Sequence, residues 1–168
     1  MKANTLLLFD VLVEKEKRFT VSPEVIHTAL NNRAIQISDV IEINQTWIMN
    51  GNKYSGRIRC TKKMFKNAGE VSYEHTVKHH INKNMDYEVT TELTEHDYEV
   101  LKKLYKDINP QIKTRLYITD MANAYRDYII TVDYPKDKSN ECWVEFELKE
   151  GSENNKGFVK PEWLEEKN

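Results

Sequence analysis

This sequence predicts an α+β domain built on eight antiparallel strands, and three observations carry that prediction. Apolar and polar residues alternate with period two over most of the chain. Two segments switch to a helical period. The strands come in runs around those helices instead of alternating with them, which argues against a parallel βαβ sheet. A length of 168 residues suits one domain with a sizeable core, so 1–168 is read as a single unit.

In chain order, alternation marks strands over Phe9–Phe19, Val40–Met49, Gly56–Lys62, Glu70–His79, Met85–Leu93, Ile112–Thr119, Asp127–Tyr134 and Cys142–Lys149. Ser22-Pro23 opens a helix over Glu24–Asn31, with proline at the first helical position. Thr94 with Asp97 resembles a capping box. Behind it Tyr98, Leu101, Leu104, Tyr105 and Ile108 recur at helical spacing, until Asn109-Pro110 ends the helix. Eight strands is also the number that closes a barrel wide enough for one small ligand.

Charge and composition narrow the function. The formal net charge of -2 excludes a general nucleic-acid or membrane-surface binder, which needs a basic excess. No window approaches the roughly 18 apolar residues of a spanning helix, so no membrane partner is expected. Leu6-Leu7-Leu8-Phe9, followed at once by Asp10, is too short for a signal-peptide core. Cys60 and Cys142 lack metal-ligand spacing and read as reduced thiols, which points to the cytoplasm. Abundant Asn, Lys, Tyr and Ile suggest an AT-rich genome, bacterial or viral, in the latter case with the protein acting in the host cytoplasm.

Nearly every strand has one charged and one apolar face. Side chains alternate, so Glu14, Glu16 and Arg18 share a face, as do Arg57 and Arg59, Thr76, Lys78 and His80, Lys113 and Arg115, and Glu145 and Glu147. Asp133 faces away from Val132 and Tyr134. In a sandwich such faces are wet; in a closed barrel they line the lumen, and the pattern alone does not choose. The charges are segregated, however, with acidic rows on the first and last strands and basic pairs on the middle ones. Guanidinium and ammonium groups suit phosphate oxygens, and carboxylates suit a divalent cation bridging to the same phosphates.

At these residues the chain resembles the CYTH superfamily, the triphosphate tunnel metalloenzymes. Glu14-Lys15-Glu16-Lys17-Arg18-Phe19 is similar to the family's opening ExExK signature, with arginine for the final lysine. Gln45-Thr46-Trp47, Arg57-Ile58-Arg59, Thr76-Val77-Lys78, Glu88, Lys113-Thr114-Arg115, Asp133, Trp143–Leu148 and Pro161-Glu162-Trp163-Leu164 follow in the family's order. The resemblance implies an eight-stranded antiparallel tunnel with flanking helices that binds a triphosphate and Mg²⁺ or Mn²⁺. It implies Glu14, Glu16, Glu88, Glu145 and Glu147 as metal ligands, and Glu14, Glu16 and Asp133 as catalytic. Arg18, Arg57, Arg59, Lys78, Lys113 and Arg115 would bind substrate. Thr90 and Pro135 stand where the family usually carries a further acid and a lysine.

The leading expectation is a metal-dependent triphosphatase, a phosphoric anhydride hydrolase. Its substrate would be inorganic, nucleotide, thiamine or RNA 5′-triphosphate. The alternatives are a non-catalytic nucleotide or polyphosphate binder and a class IV-type adenylyl cyclase. Of His75, His79 and His80, only one of the adjacent pair can face a lumen. Trp47, Trp143 and Trp163 could stack a base, with packing the default. Four converging glutamates should repel, so Glu145→Gln is expected to relieve strain and raise the melting point.

Overall fold

The computed structural model describes residues 12–82, 85–105, 110–149, 152 and 158–165, with only the backbone at 12–15 and 85. Eight strands are β1 (Leu12–Val21), β2 (Ile35–Asn50), β3 (Tyr54–Lys63), β4 (Val71–Asn82), β5 (Met85–Glu92), β6 (Pro110–Asp120), β7 (Tyr128–Pro135) and β8 (Cys142–Leu148). Every pairing is antiparallel, and the strands close a ring in the order β1-β5-β4-β3-β2-β6-β7-β8. The closing strand does double duty. Leu12–Lys15 of β1 pairs with β5, and Glu16–Val21 pairs with β8, so the seam is staggered along one strand.

Most predicted strands are found, and the shifted ends have local causes. The start of β2 at Ile35 lies five residues before the predicted Val40, since a register shift between Ile37 and Asp39 breaks the alternation there. Phe9–Val11 of the first predicted strand lie outside the described residues. The helix α1 (Pro23–Asn31) begins on its proline, although the Ser22 side chain makes no capping bond. In α2 (Glu95–Leu104) the Thr94 hydroxyl accepts from the Asp97 amide at 3.1 Å, as the capping residues predict. Of the longer helix expected, 106–109 lie outside the described residues.

The apolar core lies outside the ring, between the barrel wall and α1. Val21, Ile118, Ile130, Val132, Val144 and Phe146 from β1, β6, β7 and β8 pack against Val25, Ile26 and Ala29 of α1, with Leu164 of a short 3-10 turn. Phe146 is fully buried and meets Phe19, Tyr125, Phe158 and Trp163 with ring centroids 5.1–6.1 Å apart. On the other side, Tyr98 of α2 packs on Tyr73 of β4 at 5.1 Å. Helices cover the outer apolar faces, so most strands turn their charged face into the ring; β2 instead turns the buried Ile41 and Ile43 inward, opposite Arg115 and Lys113. Closure thus settles what alternation left open.

Phe146→Ala should lower unfolding free energy by about 3–5 kcal/mol, since a buried ring in contact with five other aromatic rings is replaced by a cavity. Leu104→Ala, at a side chain 70% exposed, should change it by less than about 0.5 kcal/mol. Urea denaturation of the two variants checks both figures.

Candidate functional site

Register assigns the inner face residue by residue. Across β1, β8, β7 and β6 the partners Arg18↔Glu145↔Thr131↔Tyr117 run round the wall. The neighbouring row is Trp143↔Asp133↔Arg115. Across β2, β3, β4 and β5 run Gln45↔Arg59↔Glu74↔Glu92, then Trp47↔Arg57↔Thr76↔Thr90, then Ser55↔Lys78↔Glu88. The sequence-predicted residues on these strands therefore share one interior. Glu14 lies on the same row system, paired with Asp86 across β1 and β5, and its side chain is outside the described atoms.

One wall is a closed ion network. Asp133 is completely buried, and both of its oxygens are taken by Arg115, from Nε at 2.6 Å and from a terminal nitrogen at 2.8 Å. Lys113 Nζ donates to the same carboxylate. Arg115 also donates to Glu145 at 2.9 Å, and Arg18 donates to the other oxygen of Glu145. Burial works against each of these charges. The Arg115 guanidinium nonetheless outweighs it and holds Asp133 and Glu145 below the usual carboxylate range, and they hold Arg115 above its own. Burial and the adjacent Arg115 charge push Lys113 down to about 8. Asp133, expected as catalytic, thus spends its oxygens on positioning two of the cations expected to bind substrate.

The facing wall is less fully paired. Arg59 donates to Glu74 at 3.2 Å and to the Gln45 amide oxygen at 3.3 Å, and Gln45 donates in turn to Gln111 at 2.8 Å. These bonds use the terminal nitrogens. The Nε of Arg59 and the Nε of Arg57 are buried without a hydrogen-bond partner among the described residues. Burial, and then the Arg57 charge beside it, push Arg59 down to about 10. Lys78 sits 2.9 Å from Glu88 and 4.0 Å from Asp86, and His80 meets Asp86 at 2.9 Å. Of the adjacent histidines it is therefore His80 that faces inward, while His79 stacks outside on Tyr54 at 4.7 Å.

The acidic residues behave in two ways. Glu145 is held by two arginines, whereas Glu16 and Glu147 stand directly opposite each other across β1 and β8. Burial, and then the charge of Glu88, raise Glu147 above the usual carboxylate range. Like charges placed opposite are destabilising. Among the described residues no three His, Cys, Asp or Glu side chains form a ready-made metal cage. Sequence reasoning missed Glu74, Asp86 and Gln111. Glu74 and Asp86 share parity with Lys78 and Glu88, so extending each strand's alternation by two or four residues finds them. A groove of about 910 Å³ between α1, Met121–Tyr125 and Trp163 lies on the outer side and holds none of the predicted site residues.

The two glutamates of β8 should respond oppositely to neutralisation, which corrects the expectation for Glu145. A raised carboxyl contributes stability below its unfolded pKa and loses it as pH rises through the folded value, so Glu147→Gln should melt higher than wild type at pH 7 and equal to it near pH 4. A depressed carboxyl contributes above its unfolded pKa and loses that as pH falls. Glu145→Gln should therefore melt lower at pH 7, leaving Arg115 and Arg18 short of a partner, with the deficit fading in acid. Thermal scans at the two pH values, without divalent metal, check both signs.

No protein-family profile matches the chain, and no curated protein matches it significantly in sequence. Solved structures do match in shape. The PH1819 protein of Pyrococcus horikoshii OT3 is 17% identical with a TM-score of 0.60, over 82% of this chain and 80% of its own. The PH1012 protein of the same organism is 16% identical with a TM-score of 0.58, over 83% and 80%. A Bacillus halodurans protein described as a candidate adenylate cyclase is 14% identical with a TM-score of 0.55, over 82% and 81%. Identities this low speak to fold alone: over about four fifths of its length the chain shares its overall fold with these proteins.

Proposed function

We propose that this chain is a CYTH-superfamily protein whose tunnel binds a triphosphate and hydrolyses it with the help of Mg²⁺ or Mn²⁺. One observation carries the reading: two adjacent guanidiniums, Arg57 and Arg59, bury Nε–H donors that have no acceptor among the described residues. Leaving a buried donor unmade costs free energy. A run of phosphate oxygens supplies the missing acceptors, and the planar fork matches them. Lys78, Arg18, Lys113 and Arg115 surround the same space and balance the charge of a polyanion.

The acidic residues suit a divalent cation. Glu16 and Glu147, with Glu14 beside them on β1, are hard oxygen donors, and the opposed pair with its raised Glu147 gains from a positive charge between its members. When bound, that ion neutralises phosphate oxygens and lowers the pKa of water held next to it. The rest of the work falls to the chain. Arg57 and Arg59 hold the phosphates and stabilise the charge that spreads over them as the anhydride breaks. Asp133, fixed between Lys113 and Arg115, is a positioning residue that keeps those cations aimed at the lumen. Glu145 does the same for Arg18 and Arg115. Burial of Lys113, Arg115 and Asp133 in the wall strengthens the contacts among them.

The Bacillus halodurans neighbour gives a second reading, a nucleotidyl cyclase using the same pocket, in which a ribose hydroxyl attacks the α-phosphate. Products separate the two: cyclic nucleotide and pyrophosphate for the cyclase, diphosphate and phosphate for the hydrolase. A phosphate-release screen over tripolyphosphate, thiamine triphosphate, nucleoside triphosphates and 5′-triphosphate RNA, with Mg²⁺ or Mn²⁺, tests the proposal. Release from none of them would reject hydrolysis.

Arg57→Ala and Arg59→Ala should each weaken tripolyphosphate binding by about 1.5–3 kcal/mol and weaken diphosphate binding less. Glu16→Gln and Glu147→Gln should abolish phosphate release while leaving metal-free tripolyphosphate binding intact or tighter, since each removes a repelling charge. Calorimetry beside the release assay reads both effects; an equal loss for the two ligands would move the arginines away from the terminal phosphate.

A further inference from the structure

Of the three tryptophans, one lies at the apolar core outside the ring and two lie on the inner face. Trp163 lies against Phe146 at 6.1 Å in the core outside the ring. Trp47 and Trp143 sit on the inner face at one mouth of the tunnel, each near a strand end: Trp47 just before the β2–β3 turn, Trp143 just after the β7–β8 turn. Both rings are half-buried, and each lies beside a cation expected to meet phosphate. The Arg57 guanidinium is 5.9 Å from the Trp47 ring, and Arg18 is 6.0 Å from the Trp143 ring. Lys138, from the β7–β8 turn, approaches Trp143 at 5.5 Å.

The backbone around Trp47 is built to hold it inward. The register of β2 against β3 shifts between Trp47 and Met49, and a bulge of this kind re-aims the side chains around it. The bulge lays Ile48 over Gly56 on the outer side, where an added Cβ would come within 3.2 Å of Ile48 Cγ1. Ile48 thereby caps the outside while Trp47 keeps its place opposite Arg57 on the inside. A tripolyphosphate has no use for aromatic surface at the mouth. A nucleotide does, since every base has a π-face that stacks on indole, while its phosphates run inward to the arginines.

We infer that this mouth is a nucleobase subsite walled by Trp47 and Trp143, so that the substrate of the tunnel is a nucleotide and not inorganic tripolyphosphate. The inference rests on the triphosphate-binding reading given above. Arg57 and Arg18 each join the two halves of the ligand, with a ring on one side and phosphate oxygens on the other. The base stays at the rim and the terminal phosphate lies deepest, beside Arg59.

Calorimetric titration with the β,γ-imido analogue of ATP and with tripolyphosphate, both with Mg²⁺, tests the subsite. Wild type should bind the nucleotide more tightly. Trp47→Ala and Trp143→Ala should each weaken the nucleotide by about tenfold and tripolyphosphate by less than about twofold, and Trp47→Phe should restore most of the loss. In wild type the nucleotide should also quench tryptophan fluorescence where tripolyphosphate does not, a readout that needs no variant to fold. Equal losses for both ligands, or equal binding and no quenching in wild type, would overturn the subsite while leaving the triphosphate reading standing. Binding of neither ligand would reject both.

Discussion

The double use of Arg115, bidentate to Asp133 and single to Glu145, is the interaction on which the interior depends. Taking a carboxylate wholly out of water costs several kcal/mol unless its lone pairs are filled. Asp133 is in that position, with no exposed surface, and three N–H donors from two side chains fill it. The network joins β6, β7, β8 and β1, which are the strands whose outer faces carry the apolar core. A change at Asp133 therefore reaches the core through the same wall that it stiffens on the inside.

The facing wall follows a different logic. There Arg59 is held by its terminal nitrogens, through Glu74 and the Gln45–Gln111 amide chain, Arg57 lies against the Trp47 ring, and both Nε–H groups are without an acceptor among the described residues. One side of the tunnel is thus self-satisfied and rigid, and the other is pre-organised with donors to spare. On the proposed reading an anion would bind here with little rearrangement, because the Arg59 guanidinium is already held and already desolvated. Glu16, 4.0 Å from Arg18, and the Glu147 opposite it complete the site as the acidic counterpart.

Much of this was legible in the sequence, for a simple reason. Period-two alternation needs no partner to be read, so the strands and the co-facial sets Arg57/Arg59, Lys113/Arg115 and Glu145/Glu147 follow from parity alone. What failed were statements that depend on pairing between distant segments. That Glu145 meets Arg18, 127 residues away, and is stabilised by it could not be read locally, and the repulsion assigned to Glu145 belongs to Glu147. The bulges at Ile37/Asp39 and Trp47/Met49 each break the alternation for one residue and blurred the limits of β2. Whether the charged faces point in or out was settled by closure and by the helices outside, which no single strand encodes.

The central claim is that polyphosphate occupies the inside of this ring, against the β3 arginines. A crystal structure of the protein soaked with tripolyphosphate and Mn²⁺, with the anomalous signal locating the manganese, tests it most directly. Phosphate density should then run through the lumen, with oxygens within about 3 Å of the Nε atoms of Arg57 and Arg59 and manganese between that density and the Glu16–Glu147 pair. Phosphate density confined to the outer groove beside α1, or manganese bound only at surface carboxylates with the lumen holding solvent, would contradict it.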